Sequence, residues 1–358
     1  MKKALFVTYH NLSDAFTGGT QCSFRNFRMV SNFYETDIYF VDNSRWNKLL
    51  SFFRLFFPPI TIKDKRKITS LIKNNEYECI FFDSSLFGII VKSLRKNGQK
   101  NIISFFHNVE FDYVSVRFGK NIIKFPYLLS AYFNEKKTLE NSTISVTLSS
   151  RDENRIFRLY KTKPDTIIPI TFDDLYASSF PDNSKKDEIN YLLFVGSLNR
   201  SNLDAAIWFV ENVMLYLKEL KLIIVGKNFE KAKHNFERSN VIVIGTTDQL
   251  DMYYSNAIAV VCPIQHGAGM KVKVAEALMF GKTIFGSQEA FEGYITENEN
   301  ATITCNTAAE YIEKINVFVS NKGEKFNTES RELYDNYYSF NRAISNFNDI
   351  LNSNRQFK

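Results

Sequence analysis

Short apolar runs rich in Val, Ile, Phe and Tyr alternate with longer helical stretches along nearly the whole chain; the alternation lapses once, then starts again. In the first half the strand-like runs fall at residues 4–9, 37–41, 79–83, 102–106, 144–147 and 166–170. Helical patterns at 23–33, 87–95, 126–139 and 151–160 lie between most of them. Strands that are apolar throughout and separated by helices are buried on both faces and joined by crossovers, which predicts a parallel sheet. Around residues 178–188 the text becomes SSFPDNSKKDE, polar with a proline, which reads as a linker. Strand-like runs then resume at 191–195, 222–225, 241–244, 258–262 and 283–285, with helices expected at 203–216, 248–256 and 273–280. A long helical pattern at 330–351 closes the chain.

The expected class is therefore α/β, with two Rossmann-like, doubly wound domains at residues 1–180 and 190–325 and a final helical segment at 326–358. A length of 358 residues suits two cores better than one. Cys22, Cys79, Cys262 and Cys305 form no C-x-x-C pair, so neither a zinc site nor a disulfide framework is expected, and a reducing cytoplasm fits best. The opening MKKALFVTYH reads as a first strand and not as a signal peptide, and no window is long and apolar enough to span a membrane. A net charge of +6 is too small to argue for nucleic acid, but it suits anionic substrates or lipid headgroups.

The segment VVCPIQHGAGMKVKVAEALMFGKTIFGS, residues 260–287, carries the most chemistry. A buried strand ends at Pro263, Gly267 and Gly269 follow in a loop, and a helix starts near Lys271. Glycines at that place let backbone N–H groups approach an anion, and the helix dipole favours negative charge there. Lys271 and Lys273 sit where cations are unfavourable unless an anion offsets them, and Glu276 is placed to reach a sugar hydroxyl. A plain strand-to-helix turn with a solvated basic start is the competing reading.

This segment resembles the donor loop and helix of the retaining glycosyltransferases of family 4 (group 1), which have the GT-B fold. Their signature has two glutamates eight positions apart; Glu276 matches the second, which holds the ribose, and the first falls on Ala268. A subgroup pattern, Gly-Ala-Gly-x-basic-x-Lys-x-x-Glu-Ala, is matched from Gly267 to Ala277 and takes in Met270. FVGSLNRSNLDAAIWF resembles the start of the family's second domain, with Gly196 in its turn; family cations that grip the diphosphate fall on Ser197 and Asn202, and Arg200 could supply charge instead. Gly245 and Thr246 fall in the stretch that lies against the base. In the first domain FTGGTQ resembles the family's glycine loop, giving Gly18 and Gly19; His107, just past a strand, matches a histidine near the reacting sugar, and Glu110 is expected on the acceptor side.

The resemblance implies transfer of a hexose, with retention, from a nucleoside-diphosphate sugar (UDP- or GDP-linked) to a sugar hydroxyl. Two domains would face a cleft, the final helix would return to the first domain, and the departing phosphate would accept the acceptor's proton. No cofactor is expected, and the absence of any Asp-x-Asp triplet disfavours a metal bridge. A polyprenyl-diphosphate-linked acceptor in bacterial polysaccharide synthesis fits, with the protein cytoplasmic or peripheral at the inner face of the membrane. The basic-aromatic stretches 46–67 and 117–133 would suit an anionic membrane surface, or would be core with solvated lysines. A catalytically silent subunit partnering an active transferase, kept open by Ala268, Ser197 and Asn202, and a sugar-nucleotide epimerase of the same fold are the alternatives.

Overall fold

A computed structural model describes residues 2–12, 18–41, 60–118, 125–176, 190–267, 269–296 and 298–355. Ala268, the linker reading at 178–188 and residues 46–59 of the first basic-aromatic stretch lie outside the described residues. The chain forms two compact units, Met1–Pro169 with Ala343–Lys358, and Ile170–Arg342.

The first unit is built on six strands: β1 (Lys3–Thr8), β2 (Glu35–Phe40), β3 (Tyr77–Phe82), β4 (Ile102–Phe106), β5 (Ile144–Thr147) and β6 (Thr166–Ile167). They lie in the order β2-β1-β3-β4-β5-β6, every pair parallel. Crossovers include α1 (Gly18–Ser31), α2 (Ile62–Asn74), α3 (Gly88–Lys96), α4 (Glu110–Phe118), α5 (Phe125–Asn141) and α6 (Ser150–Tyr160). Residues 62–67, the end of the first basic-aromatic stretch, open α2, which is started by a reciprocal cap between Thr61 and Asp64. The chain steps from β1 to β2 on one side and then to β3 on the other, so the strand order reverses between β1 and β3.

The second unit repeats the scheme with β7 (Tyr191–Val195), β8 (Lys221–Val225), β9 (Val241–Gly245), β10 (Ala259–Cys262), β11 (Ile284–Gly286) and β12 (Thr302–Thr304). Their order is β12-β11-β10-β7-β8-β9, again all parallel, and the reversal lies between β7 and β10. The helices are α7 (Arg200–Asn212), α8 (Leu250–Asn256), α9 (Val272–Met279), α10 (Ala308–Ser320) and α11 (Thr328–Leu333). Every residue of β7 and β10 is buried, as a sheet covered on both faces requires. Each fully buried Leu or Phe in them contributes roughly 1.5–3 kcal/mol.

The helical pattern at 330–351 is not one helix. After α11 a single π turn covers Tyr334–Tyr338, Ser339 is extended, and α12 (Phe340–Arg355) follows. Tertiary pairing causes the break: Phe172 N–H donates to Tyr338 O, Phe340 N–H donates to Phe172 O, and the Tyr334 hydroxyl also donates to Phe172 O. From Ala343 onward the chain belongs to the first unit, where Phe347 packs against Phe33 and Phe81.

Candidate active site

In open parallel sheets, ligands sit outside the carboxyl ends of the strands, at the point where strand order reverses. Both units place their chemistry-bearing side chains at such points.

In the second unit β10 ends and residues 263–271 lead into α9. Gly269 has φ +67°, a conformation that side-chain-bearing residues rarely adopt. Met270 is buried beneath the turn, and the Tyr294 hydroxyl donates to Lys271 O at 2.8 Å. The two lysines of this segment differ. Lys271 has its counter-charge within the protein, with Nζ 2.9 Å from Glu289 Oε1 and 2.8 Å from Gly269 O. Lys273 is buried, and among the described residues its ammonium has one hydrogen-bond acceptor, Asn202 Oδ1, at 2.8 Å. The ammonium also lies 4.5 Å from the Phe194 ring centroid. Burial lowers its pKa, as does the charge of Lys271, while Glu276 supports the ammonium.

Gly196, just past β7, makes room for this pair. A Cβ there would come within 2.7 Å of Asn202 Nδ2 and 2.9 Å of Lys273 Nζ. Asn202, on which the resemblance placed a family cation, thus anchors a cation that arrives from α9, and its Nδ2 donates to Ser197 O at 2.8 Å. Arg200 stands apart from this group, its side chain 95% exposed and 3.6 Å from Asp204. Gly267 has only the Lys271 side chain near the place a Cβ would occupy.

Glu276, half-buried on α9, accepts a hydrogen bond from the Tyr254 hydroxyl at 3.0 Å, and Tyr254 in turn stacks on Phe280. Burial raises the Glu276 pKa, against the Tyr254 hydrogen bond and the charge of Lys273. Gly245, at φ +79°, ends β9. Glu230 Oε2 accepts from Thr246 N–H at 3.2 Å, and the Thr246 hydroxyl oxygen accepts from Asn228 N–H at 3.0 Å, which fixes this turn.

In the first unit the constellation lies at the ends of β1, β3 and β4. His107 follows β4 and Asp83 follows β3; both are buried. Asp83 also accepts from the Thr8 hydroxyl at 3.0 Å and from Asn26 Nδ2 at 2.8 Å. His10, past β1, has its ring centroid 5.5 Å from that of His107. Burial opposes a charge on His107, yet the Asp83 carboxylate outweighs it and holds the imidazole pKa well above its ordinary value. His10 is driven the other way, to about 4, by burial and by the neighbouring His107 charge. The Cys22 thiol, against which burial acts, is lowered by Arg25, whose Nη2 lies 3.4 Å from the sulfur, and by His107. Gly18 and Gly19 open α1, and a Cβ on Gly19 would sit 3.4 Å from His10 Cε1.

Glu110 begins α4 and is buried. Its backbone N–H and that of Phe111 donate to the two oxygens of Glu135, at 2.9 and 3.2 Å, so Glu135 caps the helix through space. Ser85 and Tyr160 hydroxyls complete the Glu135 shell. Burial lifts both carboxyls to about 7, and Glu135 adds to the shift of Glu110.

Sequence reasoning found His107 but missed Asp83, His10 and Glu135. Asp83 had one legible signal, a carboxylate at the end of the strand-like run CIFFD, the place where cleft residues gather. Among the described residues no group of three His, Cys, Asp or Glu side chains is arranged to hold a metal ion.

Residues 189–321 match the family described as glycosyl transferases group 1. Among solved structures the chain is similar to a sucrose-phosphate synthase from Thermosynechococcus elongatus, at 15% identity with all of both chains covered and a TM-score of 0.71. HepE of Anabaena, solved with UDP and glucose, is 10% identical over 99% of this chain and 100% of that one, TM-score 0.68. WaaG, a glycosyltransferase involved in lipopolysaccharide biosynthesis, is 15% identical over 95% and 98%, TM-score 0.67. An uncharacterized 44.6 kDa protein in the cps region of Klebsiella pneumoniae is 23% identical over 78% of this chain and 74% of its own length. Residues 189–321 thus resemble a domain of the group 1 glycosyl transferases, and the two parallel six-stranded sheets have the GT-B fold of these solved structures.

Proposed function

We propose that the protein transfers a hexose, with retention and without a metal, from a UDP- or GDP-linked sugar to a sugar hydroxyl. The acceptor we assign is a polyprenyl-diphosphate-linked saccharide in bacterial polysaccharide or lipopolysaccharide synthesis, met at the cytoplasmic face of the membrane. One observation carries the donor reading: at the β7/β10 reversal, a glycine turn at a helix N-terminus meets Lys273, a buried ammonium whose hydrogen-bond acceptor among the described residues is one amide oxygen. Charge grows on the departing diphosphate, so fixed N–H dipoles and this cation would act where charge develops, without reorganisation. Glu276 would take the ribose hydroxyls, and Gly245–Thr246 would lie along the base. His107, held by Asp83, would line the sugar side with Glu110 toward the acceptor. The solved complexes of HepE with UDP and UDP-glucose support the donor class, and the lipopolysaccharide role of WaaG supports the pathway class.

The silent-subunit reading draws on Ala268, Ser197 and Asn202; of these, the contact of Asn202 with Lys273 supports the transferase, since a cation stands beside the position that lacked one. Thermal stabilisation by UDP or GDP is the first test. With a turnover substrate in hand, the anomeric configuration of the product, read by NMR, decides retention against inversion.

A further inference from the structure

Arg25 on α1 carries a charge that the first unit does not balance with a carboxylate. Its side chain is 4% exposed, and a guanidinium stays cationic in proteins. It lies over the Phe105 ring, 5.2 Å from the centroid. Nε and Nη1 are buried and donate to nothing, and among the described residues the one hydrogen bond of the guanidinium runs from Nη2 to Cys22 Sγ, at 3.4 Å. The carboxylate of this constellation, Asp83, is taken by Thr8, Asn26 and His107. An unpaired charge in the interior is costly, so the guanidinium needs an anion beside it. The atom it touches that can carry a negative charge is the Cys22 sulfur.

A second cation stands near the same sulfur. His107 and Cys22 shift each other's pKa through their charges, and His107 Nδ1, the ring nitrogen that Asp83 leaves unused, is buried without a hydrogen-bond partner. Beyond these two, the charged or titratable groups of the constellation are Asp83 past β3 and His10 past β1. Cys79, Cys262 and Cys305 are buried as well, but there burial lifts the thiol, to about 12 at Cys79 and Cys305. We infer that Cys22 is a buried thiolate, the counter-ion of Arg25, and a site of oxidation by hydrogen peroxide. A thiolate and not a thiol is the nucleophile toward peroxides, and cations favour it. Its sulfur attacks one peroxide oxygen, and the S–O bond forms from a sulfur electron pair as the O–O bond breaks. Sulfur is oxidised, the peroxide is reduced, and the departing hydroxide takes a proton from solvent to become water. The sulfenate keeps the negative charge and adds an oxygen, an acceptor for the Arg25 N–H groups that now donate to nothing. Hydrogen peroxide is little larger than water, so local opening of the fold admits it to a sulfur that is 2% exposed. The inference concerns Cys22 itself and does not depend on the donor chemistry.

Ultraviolet thiolate absorbance of the folded full chain at neutral pH tests the charge. Wild type should show about one thiolate per chain that Cys22→Ser lacks. Arg25→Met should lower the signal at least about fivefold, and Arg25→Lys, which keeps a cation and spares the fold, should retain most of it. Dilute hydrogen peroxide well below the melting temperature tests the chemistry, with quenching in denaturant plus dimedone and mapping of the labelled peptides. The sulfenate adduct should form on Cys22 at least about tenfold faster than on Cys79, Cys262 or Cys305. No thiolate signal in wild type, or a folded Arg25→Met that keeps all of it, overturns the inference. So does oxidation at one rate on all four cysteines, which reports global opening and no poised thiolate. Thermal stabilisation of the unoxidised protein by UDP or GDP reports the donor reading separately.

Discussion

Asp83 grips His107 twice: its carboxylate Oδ1 and its own carbonyl oxygen lie 2.9 and 3.1 Å from the same ring nitrogen, Nε2. The carboxylate fixes which nitrogen of His107 remains available and raises the imidazole pKa, while burial and the neighbouring charge lower that of His10. Burial works against the Asp83 charge, and His107, His10 and Asn26 more than offset it, so the Asp83 pKa is lowered.

This pairing gives stability a pH window. The His107 contribution is complete below about pH 6.5 and is lost as pH rises through its raised folded value. That of Asp83 is present above about pH 4 and is lost as pH falls through its depressed value. Asp83→Asn should cost about 3 kcal/mol inside this window, by urea unfolding at pH 6. The NMR titration midpoint of His107 should also fall in the variant; equal midpoints in the two proteins would show that Asp83 does not set the charge.

Lys273→Met should separate stability from binding. It removes a buried ammonium whose desolvation is poorly repaid, so the ligand-free melting temperature should hold or rise. Affinity for UDP or GDP should nevertheless fall about tenfold or more by calorimetry, since a hydrogen bond to a charged group contributes roughly 1.5–3 kcal/mol. A variant that binds like wild type would make Lys273 a packing residue.

Glu276→Ala removes the carboxylate that Tyr254 orients. Loss of charge-assisted bonds to ribose hydroxyls should weaken the nucleoside diphosphate about tenfold on the same scale. The deoxy nucleotide should lose far less affinity in the variant than in wild type; parallel losses would place Glu276 away from the ribose.

Glu110 and Glu135 bind protons in the folded state that the unfolded chain has released between about pH 4.5 and 7. Stability should therefore decline as pH rises across that interval. Glu110→Gln removes one of the two buried charges and should flatten the decline, with a gain on the order of 1 kcal/mol at pH 8. An unchanged slope of melting temperature against pH would assign the proton uptake elsewhere.

Both sheets were legible because their central strands carry continuous apolar runs, such as ALFV in β1 and YLLFV in β7, as strands buried on two faces do. The break at Ser339 was not, because Phe172, distant in sequence, makes it. Strand β12, only three residues at a sheet edge, is too short to show a period. The donor loop was visible from its glycines and lysines, which lie together in sequence. Asp83 and Asn202 were not visible in their roles, since each acts on a residue from another strand or helix, and only the strand order brings them together.

Donor chemistry is tested most directly by release of free nucleoside diphosphate from a panel of UDP- and GDP-sugars, run on wild type and Lys273→Met in parallel. Wild type should release nucleotide from at least one sugar of the panel, faster when a saccharide acceptor is added, and Lys273→Met should release it about tenfold more slowly or worse. No release from any sugar, with no thermal stabilisation by UDP or GDP, would contradict the transferase reading and leave a GT-B protein that supports a partner's catalysis.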